Sequence, residues 1–197
     1  IMMASKNNEA LDRPIRLLVV GGSLGASILN QTLPQALGAL DPSIRPEVWH
    51  QTGQKQQKET QSAYETQGMN AQVEPFIEDM AKAYAWADCV ICRAGALTIA
   101  ELATVGLASI LVPLPHSADD HQTYNAKYLT QNGAALLLPQ SQLSVSTMTG
   151  LLSDFLKDAN QLREQGAKAR SLAKPNATQE VVHYLLKTIK KVHPCTI

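Results

Sequence analysis

The sequence predicts an α/β fold built on one doubly wound parallel sheet. Short apolar runs alternate with stretches of helical periodicity, turn residues bound most of these runs, and several runs are continuous Val, Ile and Leu. Continuous apolar runs are typical of parallel strands that helices cover on both faces. The alternation also predicts right-handed crossovers, and ligands in such sheets bind outside the carboxyl ends of the strands.

Six strands and eight helices are expected, each bounded by turn residues or by a change of periodicity. The expected strands span 16–20, 47–51, 71–74, 89–92, 109–112 and 134–138. The expected helices span 26–40, 55–67, 80–86, 98–105, 122–131, 145–158, 161–172 and 178–192. Pro34 should kink the first helix, because it has no N–H to bond to the Asn30 carbonyl.

The chain length allows one good hydrophobic core in 197 residues. We expect a lead-in or linker over 1–14, a ligand-binding domain over 15–177, and a C-terminal helix and tail over 178–197. The opening isoleucine and the polar segment after it suggest a piece of a longer protein, without a signal-peptide pattern. No stretch approaches the roughly 18 uninterrupted apolar residues that span a bilayer.

Composition excludes several classes of function. Acidic and basic residues balance at 17 each, so no overall positive field would attract nucleic acid or an anionic membrane. Three cysteines do not make a disulfide framework, which favours a reducing cytoplasm. Cys89 and Cys92 have the spacing of a redox pair, but both lie in an expected strand, where residues three apart point to opposite faces. Small buried apolar residues are the better interpretation.

The first glycine-rich turn follows the first strand and runs from Gly21 to Ala26. It lacks the G-x-G-x-x-G spacing of dinucleotide dehydrogenases, which argues against a nicotinamide cofactor. Adjacent Gly21 and Gly22 permit a tight bend and close approach of a ligand, while Ser23 offers a hydroxyl and an N–H beside a helix start. A plain strand-to-helix turn capped by Ser23 is the alternative.

The second turn follows the fourth strand and contains Gly95, Ala96, Leu97 and Thr98. Unpaired N–H groups at such a helix start form a site for phosphate or another anion. Glu101 follows, and its two oxygens suit a ribose diol. The residues from Thr98 to Glu101 also fit a capping box, in which Glu101 only bonds to the Thr98 backbone. Two anion-receiving turns in one sheet suggest a ligand with a diphosphate.

A third polar cluster occupies the proline-flanked loop 113–125. Its two histidines and two aspartates fit no standard metal-ligand spacing, so helix capping by Asp119 or Asp120 and recognition of ligand hydroxyls remain the main alternatives. Gln122 and Asn125 should share one helix face.

Two further positions are weaker candidates. In the segment after the third strand, Phe76 and Ile77 should present apolar surface and free backbone groups. His50 is more typical of a packed or capping histidine than of a catalyst.

The last helix carries an apolar face, with lysines on a different stripe. Its apolar residues are Val181, Val182, Leu185, Leu186 and Ile189. Packing against protein is the usual outcome of this pattern, and binding to a membrane surface is the alternative.

Taken together, these segments resemble the donor half of the MurG family, from about residue 16 to about residue 177. The matching segments are Gly21-Gly22-Ser23 with Gly25-Ala26, Ile28-Leu29-Asn30-Gln31, Phe76-Ile77 with Asp79-Met80-Ala81, Arg93-Ala94-Gly95-Ala96-Leu97-Thr98 with Glu101, and Asp120-His121-Gln122 with Asn125-Ala126. The family comprises UDP-N-acetylglucosamine–N-acetylmuramyl-(pentapeptide) pyrophosphoryl-undecaprenol N-acetylglucosaminyltransferases. The resemblance implies one Rossmann-like half of a GT-B glycosyltransferase.

The resemblance also implies site residues. Gly22 and Ser23 would contact the donor diphosphate. Phe76 and Ile77 would bind uracil, and Ile77 would do so through its backbone. The segment from Ala96 to Thr98 would lie along the phosphates and ribose. Glu101 would hold the ribose hydroxyls, and Gln122 the sugar. His121 stands where some relatives have glutamine.

The implied reaction is the inverting transfer of N-acetylglucosamine from UDP-N-acetylglucosamine to lipid I, which gives lipid II for peptidoglycan synthesis. No metal or other cofactor is implied. The general base and the lipid-acceptor surface would belong to an N-terminal half, so this chain alone would be inactive and would carry no catalytic residue. The full-length enzyme would act peripherally at the cytoplasmic face of the bacterial inner membrane, whereas the isolated domain would be soluble.

Three rival interpretations remain. The first is the donor domain of another UDP-sugar enzyme, such as an epimerase or a glycolipid transferase. The second is a non-catalytic nucleotide-binding module. A dehydrogenase is the third, and tighter binding of NAD than of UDP would favour it.

Overall fold

The strands form one parallel sheet in the computed structural model, which describes residues 12–22, 24–115 and 120–192, with side chains as far as 188. Across these ranges the strands are β1 (Arg16–Val20), β2 (Glu47–Gln51), β3 (Ala71–Glu74), β4 (Cys89–Cys92), β5 (Ala108–Leu111) and β6 (Leu136–Leu137). Their spatial order is β3-β2-β1-β4-β5-β6. The strand order reverses between β1 and β4, which confirms the predicted doubly wound sheet.

Helices connect the strands and close the chain. They are α1 (Ser27–Gly38), α2 (Gln57–Thr66), α3 (Met80–Trp86), α4 (Ala96–Val105), α5 (His121–Thr130), α6 (Val145–Leu156), α7 (Ala159–Ser171) and α8 (Ala177–Val192). Two 3-10 turns, Pro42–Ile44 and Gln140–Gln142, were not expected. α1 continues on both sides of the buried Pro34, and the kink at this residue stays a prediction.

Two hydrophobic clusters sandwich the sheet. Side chains alternate along β1, so Leu17 and Val19 join the cluster under α1, α2 and α6, while Leu18 joins the cluster under α3, α4 and α5. Leu162 and Ala169 of α7 reach one cluster each. Burial on both faces explains why the strands read as continuous apolar runs.

α8 presents its apolar side chains to solvent. Val181, Val182, Tyr184, Leu185 and Leu186 are each about half exposed or more. The helix that the periodicity predicts is therefore present, but these side chains do not join the two core clusters. Among the described residues, no helix has both the length and the apolar content that crossing a bilayer requires.

Two boundaries differ from the expected ones in ways that matter. β6 pairs only through Leu136 and Leu137 instead of over 134–138, because it is an edge strand and Pro139 follows it closely. α4 begins at Ala96, two residues before the expected start at Thr98. This earlier start changes which N–H groups are unpaired.

Candidate functional site

The carboxyl ends of five strands meet at one edge of the sheet. Val20 of β1 pairs with Gln51 of β2 and with Cys92 of β4, Gln51 pairs with Glu74 of β3, and Cys92 pairs with Leu111 of β5. Adjacent strands lie about 4.8 Å apart. The turns after β1 and β4 therefore start side by side at the point where ligands of doubly wound sheets bind.

The turn after β1 is shaped by glycines. Gly22 and Gly25 have φ values of 88° and 77°, which favour glycine, and the Gly25 N–H donates to the Gly22 carbonyl at 3.0 Å. A Cβ on Gly25 would lie 2.0 Å from the Thr52 carbonyl oxygen, whereas a Cβ on Gly22 would meet open space. Gly25 is thus needed for packing, and Gly22 faces the open rim. Ser23 lies outside the described residues.

Asn30 of α1 binds the segment after β2, whose Thr52 carbonyl lies against Gly25. Its Nδ2 donates to the Thr52 carbonyl at 2.9 Å, and its Oδ1 lies 3.0 Å from Nε2 of His50. The other ring nitrogen of His50 lies 3.0 Å from the Tyr64 hydroxyl. Burial lowers the pKa of His50 to about 3. The histidine is therefore a packed, neutral structural residue, as the sequence suggested.

Gln51 links the turn after β1 to the turn after β3. Its Nε2 donates to the Gly22 carbonyl at 2.9 Å, and its Oε1 accepts from the Ile77 N–H at 3.0 Å. The side chain of Ile77 is buried and that of Phe76 is half exposed. The expectation that Phe76 and Ile77 present apolar surface and free backbone groups is therefore wrong for the side chain and the N–H of Ile77, because the core buries the one and Gln51 binds the other, whereas Phe76 does present apolar surface.

The turn after β4 opens α4 without a side-chain cap. Gly95 is the N-cap residue in an extended conformation, and the Ile99 N–H is the first to bond back, to the Gly95 carbonyl at 3.0 Å. The N–H groups of Ala96, Leu97 and Thr98 accordingly precede the helical bonding pattern, as at any helix start. Leu97 is 80% exposed, so this end of the helix is open.

Glu101 does not form the capping box that the sequence allowed. Thr98 is the third residue of α4 rather than its cap, and Glu101 accepts a hydrogen bond from the Tyr84 hydroxyl at 2.9 Å. The capping interpretation is wrong because the helix begins two residues earlier. The carboxylate is exposed, whereas Tyr84 is 4% exposed.

α5 braces the β4–α4 turn. Oε1 of Gln122 accepts from the N–H groups of Ala94 at 3.2 Å and Leu114 at 3.0 Å, and Nδ2 of Asn125 donates to the Ala94 carbonyl at 3.1 Å. Gln122 and Asn125 thus share one helix face, as predicted. The remaining polar capacity of Gln122 is its amide NH₂ group.

The loop before α5 is only partly described. His121 is exposed at the helix start. Asp120 occupies the N-cap position with φ of 52°, and its Oδ1 accepts from the Thr123 hydroxyl at 2.8 Å rather than from a backbone N–H. Asp119, the other expected cap, lies outside the described residues.

The remaining candidates have structural surroundings. Cys89 and Cys92 are buried, which confirms their interpretation as core residues. Burial raises the pKa of Cys92 to about 12, with a further contribution from the charge of Glu101. Arg93 donates to the carbonyls of Val112 and Pro113. Within the described ranges, no cluster of His, Cys, Asp and Glu could hold a metal ion.

Sequence reasoning missed two residues of this rim, Gln51 and Tyr84. A signal existed for Gln51, since it forms with His50 a polar pair at the end of a strand whose last four residues are all buried. Tyr84 gave no signal, because its contact with Glu101 depends on where the fold places α3 relative to α4.

Comparisons with known proteins identify a matching domain family and several relatives of this chain. Residues 16–181 match the glycosyltransferase family 28 C-terminal domain. The chain is 52% identical over 173 residues to the UDP-N-acetylglucosamine–N-acetylmuramyl-(pentapeptide) pyrophosphoryl-undecaprenol N-acetylglucosamine transferase of Marinobacter nauticus, covering 88% of this chain and 48% of the relative. It is 52% identical over 180 residues to the same-named Pseudomonas fluorescens protein, covering 91% and 51%.

A solved structure has the same fold over most of this chain. The crystal structure of Acinetobacter baumannii MurG superposes with a TM-score of 0.84 and 47% identity, over 90% of this chain and 51% of that one. The chain therefore spans about half the length of the curated relatives it matches.

Proposed function

Since the chain belongs to the glycosyltransferase family 28 C-terminal domain family, we propose that it is the donor-binding domain of a MurG-type N-acetylglucosaminyltransferase. The observation that carries this proposal is the adjacency of the turns after β1 and β4 at the switch point of the sheet. Both turns bring backbone N–H groups to one rim, which suits the diphosphate of UDP-N-acetylglucosamine. Relatives at about 50% identity carry the name of this transferase.

The diphosphate binds between the two turns in this proposal. Gly22 and Ser23 approach it from one side, and the N–H groups of Ala96, Leu97 and Thr98 approach from the other. The open space beside Gly22 and the uncapped start of α4 support these roles. The positive end of the α4 dipole adds to the attraction.

The nucleoside lies toward β3 and α4. Uracil packs beside the half-exposed Phe76 and is read by the Ile77 backbone, where the carbonyl suits the N3–H of uracil while Gln51 holds the amide. Glu101 accepts hydrogen bonds from the ribose hydroxyls. His121 and Gln122 contact the sugar, and Gln122 does so as a donor because its oxygen already accepts two backbone N–H groups.

The chemistry that these groups supply is electrostatic. Negative charge grows on the diphosphate as it leaves the anomeric carbon, and fixed N–H donors and helix dipoles stabilise that charge. This chain carries no proposed catalytic base. In the proposed enzyme a second domain supplies the base, binds lipid I and associates peripherally with the cytoplasmic face of the inner membrane, so that transfer of N-acetylglucosamine produces lipid II for peptidoglycan synthesis.

Affinity for the nucleotide alone should be modest. Charge-assisted hydrogen bonds contribute roughly 1.5–3 kcal/mol each. Three or four of them supply about as much free energy as the association cost of about 4–15 kcal/mol, so little is left as net affinity. We therefore expect weak binding of UDP by these 197 residues.

Calorimetric titration with UDP, UDP-N-acetylglucosamine, GDP and NAD tests the proposal. UDP and UDP-N-acetylglucosamine should bind more tightly than GDP, and NAD least. Glu101→Gln should weaken UDP binding, whereas Glu164→Gln, the same change at an exposed position on α7, should not. Tighter binding of NAD than of UDP would contradict the proposal.

Transfer to a lipid-linked acceptor tests the division of labour. The 197-residue chain alone should transfer no N-acetylglucosamine to lipid I, because the base and acceptor surface belong to the second domain. Measured transfer by this chain unaided would overturn that part of the proposal.

A further inference from the structure

A buried hydroxyl fixes the orientation of the carboxylate at the rim. The Tyr84 hydroxyl donates to Oε2 of Glu101 at 2.9 Å, from a short helix, α3, to a neighbouring one, α4. Of the described residues, Tyr84 alone donates a hydrogen bond to this carboxylate. Oε1 of Glu101 is therefore left for a ligand.

The two partners differ in how firmly they are held. Tyr84 is 4% exposed and belongs to the core cluster that also contains Ile77, Ile99 and Leu102. Glu101 is exposed, and an exposed glutamate otherwise samples several rotamers. Because the phenol ring is fixed by packing, its hydroxyl is a rigid anchor for a mobile carboxylate.

The neighbouring thiol does not compete for this role. Cys92 ends β4, and burial together with the charge of Glu101 raises the pKa of Cys92 to about 12. Burial also raises the pKa of Tyr84, with the charge of Glu101 and the hydrogen bond as further causes. Both groups therefore stay protonated at neutral pH, so the Tyr84 hydroxyl keeps the proton that it donates.

We propose that Tyr84 is a positioning residue that aims Glu101 at a ribose diol and thereby sets the preference of this site for a ribonucleotide over a deoxyribonucleotide. The inference rests on the proposed function, because it needs a nucleoside diphosphate at this rim. A pre-aimed carboxylate needs no ordering when the ribose arrives, whereas a mobile one does.

The experiment compares the affinities of UDP and 2′-deoxy-UDP by calorimetry. Tyr84→Phe removes only the hydroxyl, and it should lower the ratio of the two affinities by roughly 3- to 10-fold, the range of one ordinary hydrogen bond. The matched control is Tyr64→Phe, which removes a buried hydroxyl from the opposite face of the sheet, where it contacts His50. This control should leave the ratio unchanged.

A double-mutant cycle separates positioning from a general loss of structure. Glu101→Gln should itself lower the ratio, and adding Tyr84→Phe to it should lower the ratio no further. Equal weakening of UDP and 2′-deoxy-UDP in Tyr84→Phe, with the ratio intact, would overturn the inference and leave the proposed function standing. Failure of the wild-type chain to bind UDP at all would overturn both.

Discussion

Oε1 of Gln51 accepts a hydrogen bond from the backbone N–H of Ile77 at 3.0 Å. Nε2 of the same side chain donates to the Gly22 carbonyl at 2.9 Å, and Gln51 is 3% exposed. One buried amide therefore fixes the spacing between the turn after β1 and the turn after β3. Both turns belong to the proposed nucleotide site.

Gln51→Glu should destabilise the protein at pH 8. The new carboxylate keeps an acceptor for Ile77 but faces the Gly22 carbonyl without a proton, which should lower the free energy of unfolding by about 1–3 kcal/mol. The deficit should shrink at pH 5, where a protonated carboxyl again donates to Gly22. Urea unfolding at the two pH values measures this effect. Equal losses in Gln51→Glu and in the exposed control Gln54→Glu would contradict it.

The two glycines of the first turn should respond differently to alanine. Gly22→Ala should cost about 1–2 kcal/mol of stability, the usual cost of a left-handed conformation for a residue with a Cβ. Gly25→Ala should cost more, since its Cβ would also collide with the Thr52 carbonyl. Thermal or urea unfolding of the two variants ranks them.

Gly68 provides the control for ligand binding. It has φ of 66° and open space around its Cβ position, like Gly22, but it lies at the end of α2. Gly22→Ala should weaken UDP binding and Gly68→Ala should not. Equal effects of the two changes on UDP affinity would remove Gly22 from the proposed site.

His50 should make folding sensitive to acid. Its pKa is lowered to about 3 by burial, against an ordinary value of 6.5, so the unfolded chain binds the proton more readily. The stabilisation is complete above pH 6.5 and is lost as the pH falls toward 3, amounting to roughly 2 kcal/mol between pH 6.5 and pH 5.

Replacing the histidine tests this assignment. His50→Gln should lower stability at pH 7 but flatten its dependence on pH between 7 and 5, as measured by urea unfolding. His183→Gln, at an exposed position on α8, should keep the wild-type slope. An unchanged slope in His50→Gln would show that other groups carry the acid sensitivity.

Cys92 should resist alkylation in the folded protein. Its sulfur is buried, and burial raises its pKa to about 12, so almost no thiolate is present at pH 8. Mass spectrometry after iodoacetamide treatment should find Cys89 and Cys92 unmodified until denaturant is added. Rapid modification of Cys92 under native conditions would revive the redox interpretation of the pair.

Local patterns were sufficient to predict the sheet and its helices. Apolar runs such as Leu17–Val19 and Val90–Ile91 are buried on both faces of the sheet. A continuous apolar composition therefore indicates directly that such a run is a central strand. Helix starts were harder to predict, because Thr98 and Glu101 satisfy a capping pattern that the structure does not use.

Contacts between elements could not be predicted from the sequence. Gln51 joins two turns only because β1, β2 and β3 are neighbours in register. Tyr84 meets Glu101 only because the fold places α3 and α4 on the same face of the sheet. Each contact joins residues that are distant along the chain, and periodicity within one segment carries no information about them.

The central claim is that the turns after β1 and β4 together bind one uridine diphosphate. The most direct test is a ¹H–¹⁵N correlation spectrum of the labelled 197-residue chain titrated with UDP. We predict saturable shifts of the amide signals of Gly22, Ala96 and Thr98 that fit a single dissociation constant. The amide signal of Ile77 should shift with the same constant. Shifts confined to residues away from this rim, or different dissociation constants for the two turns, would contradict the claim.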